Sequence, residues 1–163
     1  MQIPEQAAVR RAFVNTSRSR AASMSLPAAW PPPRSDDRDF LGWVDPRAPR
    51  RAYLVVEGDE LVAIELRLPS APGGRTRKTM CDLCHSVDAP DGAALVVATR
   101  AGARGRAGDS VGLCLCTDFD CSLRVREPLK EHQVSVSGRP DDRQEQLVER
   151  LRDFVTRVLS PRG

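Results

Sequence analysis

Five cysteines stand in the 163-residue chain, and four of them fall into two local pairs. Cys81-Asp82-Leu83-Cys84 is the first pair, and Cys116 with Cys121 is the second. A C-x-x-C turn lets two thiolates converge on one ion at about 2.3 Å each. Two such pairs supply the four soft ligands of a structural tetrahedral site, so Zn2+ is the expected cofactor, held by Cys81, Cys84, Cys116 and Cys121. Four thiolates around a divalent ion leave a net charge of about −2. Lys78, Arg124 and Arg126 are near enough in sequence to offset it. Two other readings of these residues stand beside the metal site. One is a set of buried apolar thiols with no ion. The other is a redox pair at Cys81 and Cys84, which wants a βαβ setting that the surrounding pattern lacks. Cys114 shares a strand face with Cys116 and is expected to be a core thiol. His85, next to Cys84, is expected outside the ligand set.

Other patterns carry less chemistry. Gly108-Asp109-Ser110-Val111-Gly112 spells G-x-S-x-G, but a nucleophile elbow needs a strand before it and a helix after it. Here a glycine loop precedes and a strand follows. The chain has two histidines, His85 and His132, and neither is placed by sequence to serve Ser110 as a base. Gly102, Gly105 and Gly108 are not followed by G-K-[ST], so they form no phosphate loop. Asp118 and Asp120, between two zinc ligands, are expected to cap a helix start. No catalytic residue and no small-molecule substrate are expected.

The elements that position the cysteines follow from periodicity. Residues 4–16 suit a helix, with Pro4 and Glu5 in its first turn. Residues 27–50 are rich in proline and should be irregular and extended. They still carry Trp30, Phe40, Leu41 and Trp43, so they should lie against the folded body. Residues 52–68 read as a hairpin turning at Gly58-Asp59, with Val62, Ile64, Leu66 and Leu68 alternating with polar or small residues. Residues 75–80, 93–99 and 111–116 read as further strands. The arginine-rich stretch from Arg100 to Ser110 should be a mobile basic loop. DFDCSLRV suits a short helix. Residues 141–160 form the strongest helix, with Leu147, Val148, Leu151, Phe154, Val155, Val158 and Leu159 at helical spacing. Asp141 and Gln144 have capping-box spacing. The expected fold is α+β. An antiparallel sheet carries a four-cysteine treble-clef zinc finger, with a short N-terminal helix and a long C-terminal one. Residues 1–50 would pack on a body formed by residues 51–163, as one folded unit.

Composition bounds the function. Hydrophobic residues make up 40% and charged residues 29%, ordinary for a globular chain. Only seven aromatics are present, so the core must be mainly aliphatic. A net charge of +3 does not predict a strong nucleic-acid binder. Nowhere do 18 apolar residues run together, and MQIPEQAAVRRAF places charges where a secretion signal needs its apolar stretch. The expected location is the cytoplasm, with no membrane partner. Cysteines there favour metal or thiol chemistry over disulfides.

MCDLCHS, followed by VATRAGARGRAGDSVGLCLCTDFDCSLRVR, resembles the elongation-factor-G-binding proteins with a C-terminal treble-clef zinc finger (the FBP domain), which include the FusB-type fusidic-acid-resistance proteins. FVNTSRSRAASMSLP and DFLGWVDPRAPRRAYLVV resemble the same domain as it occurs in actinobacterial proteins. The resemblance implies zinc thiolates at Cys81, Cys84, Cys116 and Cys121. It also implies binding to elongation factor G through the finger lobe, helping the factor leave a stalled ribosome. Charge and nearness to the finger make Arg100, Arg104, Arg106, Phe119, Arg124 and Arg126 the candidate contacts. A module binding RNA or the ribosome is the second expectation, permitted by the basic loop and basic N-terminus. A zinc or thiol enzyme using Cys114 or Ser110 is a third, and it would need an open metal position or a reactive thiol.

Overall fold

A computed structural model of the protein describes residues 1–69, 79–129 and 141–159. Two short helices come first, α1 (Gln6–Arg11) and α2 (Arg18–Ala22). Five strands follow: β1 (Phe40–Val44), β2 (Arg51–Glu57), β3 (Leu61–Arg67), β4 (Ala93–Thr99) and β5 (Ser110–Cys116). A short helix α3 (Gly102–Arg106) sits between β4 and β5. After β5 come α4 (Cys121–Arg126) and the long α5 (Arg143–Leu159). The strands lie in chain order, β1-β2-β3-β4-β5, each antiparallel to its neighbour. The α+β class, the antiparallel sheet and the C-terminal helix agree with the sequence reading.

The N-terminal third departs from it. The proline-rich stretch is not irregular throughout: FLGWV pairs with β2 from Phe40↔Val56 to Val44↔Ala52 and forms an edge strand. Its prolines lie outside the paired residues, so none removes a ladder hydrogen bond. The first helix ends at Arg11 because the chain beyond it is taken by the sheet. Ala63 N–H donates to Ala12 O and Val14 N–H to Ala63 O, both at 3.0 Å. Ser17, just past the helix expected over residues 4–16, starts α2, its side chain accepting the Arg20 N–H at 3.3 Å. The stretch after Arg100 holds helix α3 rather than only a loop. Of the strand expected over 75–80, residues 75–78 lie outside the described residues, and Thr79 and Met80 belong to no strand.

The sheet is packed on both faces. Phe40, Leu54, Ile64, Leu66, Val96, Leu113 and Leu115 point inward against Leu147, Leu151, Phe154 and Val158 of α5. Those four recur every three or four residues, so one stripe of the helix is buried. The opposite face sets Leu41, Trp43, Tyr53, Val55 and Ala63 against Val9 of α1 and Met24. β2 is buried on both sides, which explains why AYLVV is a continuous apolar run.

One polar pair is sealed into the second cluster. The Tyr53 hydroxyl donates to Asp45 Oδ2 at 2.7 Å, and Asp45 also accepts from Ser25 and Arg47 backbone N–H groups. Burial, then the bond to Asp45, pushes the Tyr53 hydroxyl up to about 12 even though an Arg51 contact opposes the rise. The folded value lies above the ordinary 10.0. The neutral phenol therefore stabilises the fold fully below pH 10, and that contribution is lost as pH rises toward 12. Tyr53 is the only tyrosine. Phenolate absorbance should accordingly titrate as one step near 12 in the native protein and near 10 in denaturant. Phe154→Ala should cost about 3–5 kcal/mol of unfolding free energy in a denaturant titration, because a fully buried ring is lost between α5 and the sheet.

Candidate metal centre

Cys81 and Cys84 enter from a turn held by its own backbone. Cys81 N–H donates to Ser86 O, and His85 N–H donates to Cys81 O, both at 2.9 Å. His85 closes the turn with φ +57°, the left-handed region. Asp82 fastens the turn to β5: its N–H donates to Cys114 O at 2.8 Å, and its carboxylate accepts the Cys114 N–H at 2.7 Å. β5 ends at Cys116, and α4 begins at Cys121. Between them the chain turns sharply at Phe119, with φ +60° and its N–H donating to Cys116 O at 3.1 Å. The Asp118 carboxylate accepts the Asp120 N–H at 3.1 Å, which shapes the turn into α4.

Three sulfur-bearing residues, Cys81, Cys116 and Cys121, are fully buried, and Cys84 is half-buried. The Sγ atoms of Cys81 and Cys121 lie 3.6 Å apart, as do those of Cys84 and Cys116, and all four lie within 4.8 Å of one another. A disulfide would need about 2.05 Å. A zinc tetrahedron with arms of about 2.3 Å has edges of about 3.8 Å, so the donor set fits the ion. Without a cation, four such thiols cannot ionise together. Cys121 is pushed far up by Cys116, then by Cys81 and Cys84, while hydrogen bonds from Cys116, Cys121 and Cys84 push Cys81 down. A divalent ion removes that conflict and takes all four as thiolates.

Counter-charge comes from α4. Burial would lower the Arg124 pKa, but the paired Asp118 carboxylate and the adjacent Cys116 and Cys121 raise it on balance. Arg126 pairs instead with Asp39, at 2.6 and 2.9 Å. Lys78 lies outside the described residues. No βαβ unit surrounds Cys81 and Cys84 among the described residues, so the redox-pair setting is missing. Cys114 is not the core thiol expected from its strand. Ser110 and Gly112, on the same face of β5, are exposed, and Cys114 is half-buried there with its backbone tied to Asp82. Burial first, then Asp82 and Cys81, push its thiol up, which opposes nucleophilic reactivity.

The six expected contact residues do not form one surface. The α3 arginines sit at the Ser110 end of β5, whereas the sulfurs sit at its Cys116 end, a strand length of roughly 23 Å away. Arg100 donates to Arg157 O and Ala101 N–H to Val158 O, so both serve the C-terminus of α5. Arg104 pairs with Asp109 at 2.7 Å. Arg106 is exposed, and no described carboxylate pairs with it. Phe119 is 1% exposed and belongs to the core rather than to the surface. A Cβ on Gly42 would meet its ring at 2.2 Å, so glycine is required on β1. A glycine inside a strand signals such close approach, and this one is legible as that. The buried Arg38 leaves no such mark: it pairs with Asp120 at 2.7 Å and donates to Phe119 O at 3.4 Å. The Asp39 N–H donates to Ser122 Oγ of α4 at 3.0 Å.

A hairpin ending in one cysteine, a helix starting at another and a C-x-x-C turn facing both define a treble-clef zinc-finger protein. The family model described as the FBP C-terminal treble-clef zinc-finger matches residues 8–158, and the chain belongs to that family. No curated protein matches the chain.

Native mass spectrometry should find one zinc per chain, and replacing any of Cys81, Cys84, Cys116 or Cys121 by serine should abolish stoichiometric loading. Cys114→Ser should leave the count at one. Lowering the pH should release the ion as thiolates take up protons. Gly42→Ala should cost roughly 1–3 kcal/mol by driving a methyl into the Phe119 ring, and Phe119→Leu in the same chain should recover part of it.

Proposed function

We propose that this protein binds elongation factor G through its zinc-finger lobe and promotes the factor's release from, or turnover on, the ribosome. The match of the zinc-finger family across residues 8–158, with the quoted motif segments inside it, carries this reading. The chemistry of the centre agrees with a binding role. Four protein sulfurs fill a tetrahedral ion and leave no open position for substrate, so the zinc organises structure, and in this reading the protein acts by binding rather than by catalysis. The work would be done by preferring one state of the partner: stronger binding to the released conformation shifts the factor toward it. Translation places this activity in the cytoplasm, and among the described residues no helix is long and apolar enough to cross a membrane. Residues 1–50 and 51–163 act as one unit in this reading, because Phe119 and α4 are held by β1 and the residues before it.

The partner surface in this reading lies around α4 and the Cys84 turn. A cleft of about 670 Å³ opens there, lined in part by Cys84, His85, Val87, Leu123 and Arg124. Val87 is 46% exposed, a large apolar side chain free to be covered. Arg124 and Arg126 stand at the same end, and Phe119 acts from beneath by fixing the turn that carries Cys121. Purified, zinc-loaded protein should bind elongation factor G after RNase treatment. Val87→Glu should weaken that affinity at least tenfold in titration calorimetry with zinc content and thermal midpoint unchanged. Retention that disappears with RNase, or indifference to Val87→Glu and to charge reversal at Arg124 and Arg126, would overturn the assignment.

A further inference from the structure

Away from the metal, positive charge gathers on one side of the sheet. Arg51 of β2 and Arg67 of β3 stand directly opposite each other. Like charges in that cross-strand position are destabilising. The nearest carboxylate, Glu65, is already occupied. It accepts from Thr16 at 2.9 Å, pairs closely with Arg20 of α2, and lies 3.9 Å from Arg51. The strip continues to the tip of the β4–β5 hairpin. The Asn15 side chain donates to Glu65 O at 2.9 Å and to Thr99 O at 3.0 Å, which brings the start of α2 beside the end of β4. From the other side α3 folds back on the same residues: a Cβ on Gly105 would lie 1.8 Å from Arg100 O and 2.9 Å from Thr99 Cγ2. Six arginines therefore share this strip (Arg18, Arg20, Arg51, Arg67, Arg104 and Arg106), against the carboxylates of Glu65, Asp109 and the buried Asp45, which meets Arg51 at the Tyr53 hydroxyl. That excess of three equals the net charge of +3 of the whole chain. Glu57, Asp59 and Glu60 lie beyond Ala63, where the chain after α1 crosses β3. Arg18, Arg67 and Arg106 are exposed, and no described carboxylate pairs with them.

We infer that this strip binds the phosphodiester backbone of a nucleic acid strand. The guanidinium fork matches phosphate oxygens two at a time, and a phosphate between Arg51 and Arg67 turns a repulsion into a bridge. A row of cations crossing from α2 to α3 suits an extended polyanion better than a protein face, whose centre is usually depleted of charge. The surface is separate from the zinc end, so it stands or falls independently of factor binding.

The test uses the full zinc-loaded chain and fluorescein-labelled 20-nucleotide RNA and DNA of one mixed sequence, followed by anisotropy between 50 and 200 mM salt. Three uncompensated charges, those of Arg18, Arg67 and Arg106, predict a log–log salt slope of about −2 for a single strand. Arg18→Glu and Arg106→Glu should each weaken binding at least fivefold and flatten the slope by about 1. Arg152→Glu, the same charge change on the exposed face of α5, should alter it less than twofold. Tighter binding of RNA than DNA would add contacts to the 2′-hydroxyl, and equal binding would leave the backbone as the whole ligand. A slope shallower than −1, an equal loss from Arg152→Glu, or equal displacement by polyglutamate at matched charge would overturn the proposal. Unchanged capture of elongation factor G by the Arg18 and Arg106 variants would confirm that the two surfaces are separate.

Discussion

Four sulfurs gathered within 4.8 Å in a largely buried site repel one another as thiolates and lose much of their solvation as thiols. A single divalent cation resolves both costs, and the architecture around it follows from that. The sulfurs come from two stretches 32 to 40 residues apart in sequence, so their meeting fixes where the Cys81 turn lies against β5. Asp82 repeats the instruction in backbone hydrogen bonds, occupying the N–H and C=O of Cys114 on the edge of the last strand. An edge strand is thereby covered at the place where it delivers a ligand.

From the centre, order passes outward along two routes. The first runs through α5, whose Arg150 donates to Leu83 O at 3.0 Å while its apolar stripe seals the inner sheet face. The second runs through the turn after Cys116. Phe119, Arg38, Asp39 and Ser122 couple that turn and α4 to β1. The N-terminal part is thus not a passenger on a finger. It supplies one wall of the pocket that holds the second pair of ligands.

Much of this is legible in the sequence where one pattern decides the matter. The paired cysteines specify the ligand set, the alternation from Val62 to Leu68 marks a half-buried strand, and the stripe from Leu147 to Val158 marks α5. Reading fails where a distant partner decides. FLGWV resembles part of an extended proline-rich run because its pairing with β2 leaves no local mark. Ser17 gives no sign of a second helix, although its hydroxyl starts one. Phe119, beside two aspartates in a cysteine-rich turn, resembles a contact residue, and only the missing side chain at Gly42 reveals where the ring goes. Arg100, Arg104 and Arg106 seem adjacent to the finger only because sequence distance ignores that β5 runs its whole length between them and the sulfurs.

The contact between Gly42 and Phe119 also constrains how this chain can change. Neither position tolerates drift alone: a side chain at 42 needs a smaller neighbour at 119, while a smaller residue at 119 leaves a void under β1. Across descendants the two sites should therefore change as a pair or not at all, although 77 residues separate them in the chain and neither touches the ion. The record of that coupling would be written in a strand that carries no ligand, far from the cysteines by which the domain is recognised.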